Sequence, residues 1–412
     1  MKTEQFTVFR DNMKIHGLAY MSNTADKNTD DGTVKQAPAI IMSHVFLGNY
    51  RGFEYFAETF CELGYNVYTF NFCCGSDETD PMMRSDGEST DLCIEGEIND
   101  LLAVYNYVTL QNCVKTDEIY LWGESQGALV SGLAAARLQD KVKKLIMIFP
   151  AVCIPDHARR GTLGGANYDP KNPPETMPTD RTTLGRAFHD GVKDMDVYSE
   201  LAKFKGETIL IQGDMDSIVV PEYQYLVKDL FDKTDKNVET DSLTGLPNHR
   251  LSFQMVRGMD HWTGGEHREG LAESIKFFLE NRQEILTFRI IVTNVVPLDD
   301  NDRTNKKDLI HEQDVYFTGY SESDIFTGTI VSGVDHQAYQ GDKCIRMSAE
   351  YKFVGVDSDN NYCEMQVSNN KLGGVWKPTI KTESNKLSWL NDADLYAIVE
   401  AGPKGPTIRI YI

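Results

Sequence analysis

Ile119-Tyr-Leu-Trp-Gly-Glu-Ser-Gln-Gly-Ala-Leu-Val-Ser-Gly-Leu-Ala-Ala-Ala-Arg137 is the stretch from which the rest of the chain can be read. Ile119 to Trp122 is a short apolar run with two aromatics, the pattern of a buried parallel strand. Ala128 to Arg137 is rich in Ala and Leu, which favours helix. Between them stands Gly123-Glu124-Ser125-Gln126-Gly127, a G-x-S-x-G pattern. A sharp strand-to-helix turn there strains the backbone of Ser125 and lifts its hydroxyl above the sheet edge. A Cβ at position 123 or 127 would crowd that turn, hence the glycines. The helix start offers free N–H groups and partial positive charge to an oxyanion. Taken alone, these five residues also fit an ordinary glycine-rich turn. The strand before and the small-residue helix after give them their meaning.

Upstream, Gln5–Arg10 and Met13–Met21 read as a hairpin turned at Asp11-Asn12, and Thr24–Gln36 as a polar loop. Ala37–Ser43 is a buried strand ending in His44-Val-Phe-Leu-Gly-Asn49. Phe53–Leu63 has helical spacing and stops at Gly64. Tyr65–Phe72 is a strand, Cys73–Ser89 a loop and Leu92–Val108 a helix. Downstream come strands at Lys143–Phe149, Thr208–Gln212 and Leu251–Val256, with helices at Glu222–Phe231 and Leu271–Phe278. This alternation predicts an α/β fold with a doubly wound, mostly parallel sheet, whose ligands sit beyond the carboxyl ends of the strands. Pro155–Tyr198 breaks the rhythm and is expected to be an insertion lying over that face.

After about Asn281 the pattern changes. Strands are expected at 288–296, 314–319, 328–332, 344–353, 362–367, 394–399 and 407–412, several alternating as in Met347-Ser-Ala-Glu-Tyr-Lys-Phe-Val354. The predicted organisation is therefore a catalytic domain over 1–285, with its insertion at 155–198, and an all-β, barrel-like domain over 286–412.

The formal net charge of −21 argues against nucleic acid and anionic membrane surfaces as partners. No apolar run at the N-terminus has signal-peptide length, and none elsewhere could span a bilayer. The eight cysteines include no C-x-x-C pair, so a reducing cytoplasm is the expected setting.

A serine hydroxyl needs a base within hydrogen-bond reach, and that base needs an orienting acid. On such a sheet they follow in the order Ser, Asp or Glu, then His. Asp216 follows the Thr208 strand and His261 the Leu251 strand. Asp214 is the alternative acid; Asp216 sits deeper in the loop. His249 and His267 are fallback bases, and His44 is expected to shape its loop. Two backbone donors are needed for the oxyanion: Gln126 N–H and, from the loop after the Ala37 strand, Phe46 N–H. The chemistry requires no metal or cofactor.

Residues 1 to about 285 resemble the α/β-hydrolase superfamily, and within it the bacterial cinnamoyl and feruloyl esterases. His44-Val-Phe-Leu-Gly48 is similar to that family's H-G-F-x-G loop, and Gly123-Glu-Ser-Gln-Gly127 to its elbow. Gly213-Asp-Met-Asp216 and Gly258-Met-Asp-His261 resemble its acid and base loops. The resemblance implies a serine esterase acting on a small-molecule ester, with the amides of Phe46 and Gln126 as oxyanion donors. Departures are Val45 for the usual glycine, Cys73-Cys74-Gly75 where R/N-G-H-G is common, and a longer stretch from Asp232 to His249. The same constellation also serves peptidases, thioesterases and acyltransferases, whereas a dehalogenase would need Asp at the elbow. A binding scaffold would usually have lost the nucleophile or base.

The β-domain resembles DUF3237, a small lipocalin-like family of unknown function. The resemblance rests on Gly333-Val-Asp-His-Gln337, Ser348-Ala-Glu-Tyr351 and Pro378-Thr-Ile-Lys-Thr-Glu-Ser384 with Trp389-Leu390. Its adjacent Asp335 and His336 read as turn chemistry. It is expected to bury an apolar patch, against the hydrolase or as part of a homo-oligomer; the alternative is a ligand in a barrel mouth lined by Tyr351, Phe353 and Trp376.

Overall fold

In the opening hairpin, β1 (Lys2–Arg10) and β2 (Met13–Met21) pair in antiparallel register, and Asp11 takes φ 52° at the turn. These coordinates are a computed structural model describing residues 1–23, 35–235, 240–241, 246, 249–298, 310–372 and 375–412. Most of the expected 24–36 loop, and much of Asp232–His249, lie outside the described residues. The chain forms two compact units, Met1–Asn237 with His249–His261, and Val238–Asn248 with Trp262–Ile412.

The first unit continues with β3 (Ala37–Ser43), α1 (Glu54–Glu62), β4 (Asn66–Phe70), α2 (Ile94–Thr109), β5 (Val114–Glu124), α3 (Gln126–Leu138) and β6 (Lys144–Ile148). An insertion follows, holding α4 (Ile154–Arg160), the antiparallel pair β7 (Thr176–Pro178) and β8 (Thr183–Gly185), α5 (Arg186–Val192) and α6 (Val197–Leu201). Then come β9 (Glu207–Gly213), α7 (Glu222–Thr234) and β10 (Leu251–Val256). The sheet order is β1-β2-β4-β3-β5-β6-β9-β10, and from β4 to β10 every pairing is parallel.

The chain steps from β3 to β4 on one side and resumes at β5 on the other, so the topological switch lies between β3 and β5. Apolar strands buried on both faces are what a helix-covered parallel sheet requires, and all five residues of both β4 and β6 are buried. Trp122 anchors one face, its ring 5.0 Å from Phe56 and 5.3 Å from Phe60. The insertion lies against the loops at the carboxyl end of the sheet. Ser89 Oγ donates to the Thr183 carbonyl at 2.8 Å, and the ring of Phe188 stacks over Phe46 at 6.5 Å.

The second unit holds α8 (Arg268–Leu279) and eight strands: β11 (Glu284–Pro297), β12 (Ile310–Ser323), β13 (Phe326–Gln340), β14 (Lys343–Asp357), β15 (Tyr362–Leu372), β16 (Val375–Thr382), β17 (Tyr396–Glu400) and β18 (Thr407–Tyr411). They close into an antiparallel barrel, β18 pairing back onto β11. Sequence reading places seven strands here and misses β16. Pro378 stands at its centre and has no N–H for a ladder, which argues against a strand. The fold tolerates it because β16 pairs with β17 at a single position, Trp376 with Ala397.

Phe288, Phe326, Phe353 and Met365 fill the barrel interior, and Leu387, Leu390 and Leu395 join that core from the segment between β16 and β17. Outside, Arg409 is buried with Glu400 (3.1 Å) and Glu284 (3.1 Å). Removing one member of such a group strands the other charges. Arg409→Met should therefore cost about 3–5 kcal/mol, read as a lower guanidinium midpoint for the barrel, with Ser125 reactivity preserved.

Candidate active site

β5 runs straight into α3, and the turn between them is Ser125, with φ 53° and ψ −118°. A non-glycine residue adopts that conformation only where its surroundings enforce it. Here the Ser125 N–H donates to the Ile148 carbonyl at 2.9 Å, while its own carbonyl accepts from Ala128, Leu129 and Ala151 at 3.1, 3.2 and 3.0 Å. The flanking glycines are sterically required. A Cβ on Gly123 would lie 2.1 Å from the Gly127 carbonyl oxygen, and one on Gly127 would lie 2.1 Å from that of Ser43.

His261 Nε2 lies 2.8 Å from Ser125 Oγ, and its Nδ1 lies 2.7 Å from Asp216 Oδ2. The expected Ser125, Asp216 and His261 thus form one continuous hydrogen-bonded chain, with the imidazole 4.3 Å from the Phe149 ring. Asp216 Oδ1 accepts from the amides of Ile218 and Val219 at 2.9 Å each, and Gln212 Nε2 reaches Oδ2 at 3.1 Å. Burial alone would raise the Asp216 carboxyl; the hydrogen bond and charge of His261, with the two amides, outweigh it and hold the pKa below its usual value.

Asp214 does something else. Its Oδ1 accepts from Gly258 N–H at 2.7 Å, and Met215 N–H donates to the Met259 carbonyl at 3.0 Å. These bonds zip the loop after β9 to the loop after β10 and so carry His261 to Asp216. His249 is exposed, and His267 lies 3.9 Å from Glu266 in the second unit; neither joins the constellation.

Gln126 is the first residue of α3, where helix N–H groups have no carbonyl partner within the helix. Phe46 lies in the tight turn after β3, closed by Gly48 N–H to the Val45 carbonyl at 2.9 Å, with Leu47 at φ 50°. His44 braces this turn. Phe72 N–H donates to its Nε2 at 3.1 Å, so its proton sits on Nδ1, which donates to the Val45 carbonyl at 2.8 Å. Burial pushes its pKa down to about 4, keeping the ring neutral.

Two residues that sequence reading did not single out belong to the same neighbourhood. Arg181, between β7 and β8, donates to the carbonyls of Phe46 (3.2 Å) and Leu47 (2.8 Å). No motif marks it. Glu97, on α2, is buried and accepts from Gln126 Nε2 at 2.8 Å. Its signal was readable: a carboxylate within the apolar stripe Ile94, Ile98, Leu101. Burial, with Asp100 nearby, pushes its pKa up to about 8 against the opposing hydrogen bond from Gln126. Among the described residues no cluster of ligating side chains suits a metal ion.

The two loop aspartates make separable predictions for kcat, once a turnover substrate is in hand. Asp216→Asn should lower it by about 10⁴, as for an acid that fixes the base's tautomer. Asp214→Asn should leave most of kcat and lower thermal stability instead, since it ties the loops together. The reverse ranking would assign the acid to Asp214.

Comparison with known proteins agrees with this architecture. Residues 38–161 match the family described as the alpha/beta hydrolase fold. An uncharacterized 31.7 kDa protein from the traX-finO intergenic region of Escherichia coli is 33% identical over 118 residues, 28% of this chain; that match covers 38% of the relative's length. Est1E from Butyrivibrio proteoclasticus, in a structure with ferulic acid bound, superposes with a TM-score of 0.55 at 25% identity, covering 67% of this chain and 98% of Est1E. A second Est1E structure gives 0.52 at 24% identity, covering 67% and 97%. The first unit thus has the alpha/beta hydrolase fold, with the family match over residues 38–161, and the second contains a closed eight-stranded antiparallel barrel.

Proposed function

We propose that this chain is a serine carboxylic-ester hydrolase that works through an acyl-enzyme on Ser125. The observation that carries the reading is the unbroken hydrogen-bond line from Ser125 Oγ through His261 to Asp216, at a backbone turn that exists only under constraint. His261 Nε2 takes the Ser125 proton as Oγ attacks the ester carbonyl, then returns it to the leaving alcohol. Asp216 holds the ring in the tautomer with its proton on Nδ1 and stabilises the imidazolium. The amides of Gln126 and Phe46 receive the oxyanion. Water repeats the sequence to release the acid. Likeness to Est1E, captured with ferulic acid, and the similar oxyanion loop support small aromatic acyl groups, feruloyl-type esters among them.

A fluorophosphonate probe should label the wild-type chain and fail on Ser125→Ala. On a panel of p-nitrophenyl esters with methyl ferulate, Ser125→Ala should lose on the order of 10⁴ to 10⁶ in kcat. Absence of labelling in the folded wild type would favour a non-catalytic scaffold instead.

Glu97 gives this reading a pH signature. Below about pH 8 its carboxyl is neutral; above it, a buried negative charge develops beside the residue that donates to the oxyanion. The charged group acting on it is Asp100, three residues on along α2, itself paired with Arg10 from β1. A charge at Glu97 opposes a second negative charge on the substrate oxygen, so kcat should fall on the alkaline side through one ionisation. Glu97→Gln keeps a partner for Gln126 but cannot ionise, so it should retain activity at neutral pH and shift or abolish that alkaline limb. An unchanged limb would leave Glu97 a purely structural residue.

A further inference from the structure

The inside of the barrel changes character along its length. Directly paired strand residues share a face, so the register sorts the inward side chains into rows. One row is wholly apolar: Ile330, Phe353 and Met365. The next pairs Gly333, Tyr351 and Val367; the one after pairs Asp335, Ala349 and Asn369. Beyond these, towards the hairpin joining β13 to β14, Gln337 and Met347 face one another.

Three polar atoms in these rows are buried with no hydrogen-bond partner: Tyr351 Oη, Asn369 Oδ1 and Asp335 Oδ1. Tyr351 and Asn369 are 4% and 1% exposed, so their side chains cannot turn to bulk water. Buried polar groups are normally satisfied, and three unsatisfied ones in adjoining rows call for an explanation. Gln337 cannot supply it. Its Nε2 is given to Asp335 Oδ2 at 2.6 Å, and its Oε1 already accepts from Gln313 (2.8 Å) and Tyr339 (2.9 Å). Ala349, between Asp335 and Asn369, puts only a methyl group between them.

The chemistry of the three atoms is specific. A carboxylate oxygen and an amide oxygen only accept, and a tyrosine hydroxyl can accept as well. Among the described residues no lysine or arginine pairs with Asp335, and burial holds its carboxyl above the usual range against the opposing hydrogen bonds from Gln337 and the Ser348 amide. His336 points to the other face, its Nδ1 2.6 Å from Asp314. Aromatic surface adjoins: the Tyr351 ring lies 5.5 Å from Phe317, and Trp376 is partly buried against the same core. Lys371, paired with Trp376, is exposed and lies over that ring at 5.6 Å.

We propose that the barrel binds a small organic ammonium ion, its N–H groups taken by Asp335, Asn369 and Tyr351 and its apolar body lying against the adjoining aromatic side chains. An ammonium group supplies the donors that the acceptors lack and the positive charge that the lone carboxylate lacks. A neutral hydroxyl compound offers fewer donors and no charge; a carboxylate is repelled.

Three near-isosteric probes separate these cases on the full-length chain by isothermal titration: tryptamine, tryptophol and indole-3-acetate. Tryptamine should bind with a Kd of about 1 mM or tighter, at least about tenfold tighter than tryptophol, and indole-3-acetate should show no heat of binding. Asp335→Asn should abolish the preference for tryptamine. Tyr351→Phe and Asn369→Leu remove unsatisfied atoms, so they should weaken tryptamine about tenfold while the melting temperature holds or rises. That combination is one a merely structural polar cluster would not give. Equal binding of the three probes, no binding of tryptamine, or an unaltered tryptamine affinity in Asp335→Asn would each overturn the proposal.

Discussion

The first unit depends on one close backbone contact. The α-carbon of Gly127 lies so near the ends of β3 that an added Cβ would meet the carbonyl oxygens of Ser43 at 2.1 Å and His44 at 2.4 Å. That approach sets the first turn of α3 directly on the loop after β3. Amides from two distant parts of the chain, Gln126 and Phe46, are thereby carried to the same neighbourhood as Ser125. The strain at Ser125 follows from the same contact: a strand that must turn at once into a helix in this space passes through a positive φ. Four hydrogen bonds to its own N–H and carbonyl hold it there. Gly123, clamped against the carbonyl of Gly127, makes the arrangement self-consistent.

A second contact of the same kind governs the other half of the constellation. A Cβ on Gly213 would meet the Met259 carbonyl oxygen at 2.1 Å, so the loops after β9 and β10 run in backbone contact. Asp214 fastens them and Asp216 points inward. The two aspartates, two residues apart in one loop, divide the work into holding the loops and orienting the imidazole. The insertion contributes through Arg181, which holds the carbonyls of Phe46 and Leu47 in the turn after β3. A change in the insertion can thus shift the turn after β3 from a distance in sequence.

Much of this was legible in the sequence because it follows from local rules. Strand-to-helix alternation, Gly-x-Ser-x-Gly at one strand end, and Asp then His at two later ones each reflect short-range geometry. What was not legible comes from partners remote in sequence. Glu97 acquires its environment from Gln126, 29 residues on, and from Gly75, whose Cβ would sit 2.5 Å from Glu97 Oε1. Arg181 meets its carbonyls across 134 and 135 residues. Strand β16 was hidden by Pro378, a residue that excludes a central strand but is harmless where the neighbouring ladder is nearly absent. The strands of the barrel also run longer than their apolar cores suggest: β13 and β14 extend over fifteen residues each. Their polar ends look like turns in sequence and become walls only once paired.

Buried acids show how differently the fold treats one kind of group. Asp100 is tied by Arg10 and by the Cys73 amide, and its carboxyl is nevertheless pushed up to about 6 by burial. Glu97 has a neutral amide instead of a cation and is pushed further, to about 8. Glu400 and Glu284 share Arg409, whose charge they hold in place. Asp335, like Glu400, keeps one buried oxygen without a hydrogen-bond partner; its other oxygen is held by Gln337, and unlike Glu400 it has, among the described residues, no cation beside it. The ordering follows from how much compensating charge each environment supplies. Asp100, with a cation beside it, rises less than Glu97, which has only a neutral amide, because the cation restores part of the compensation that burial removes.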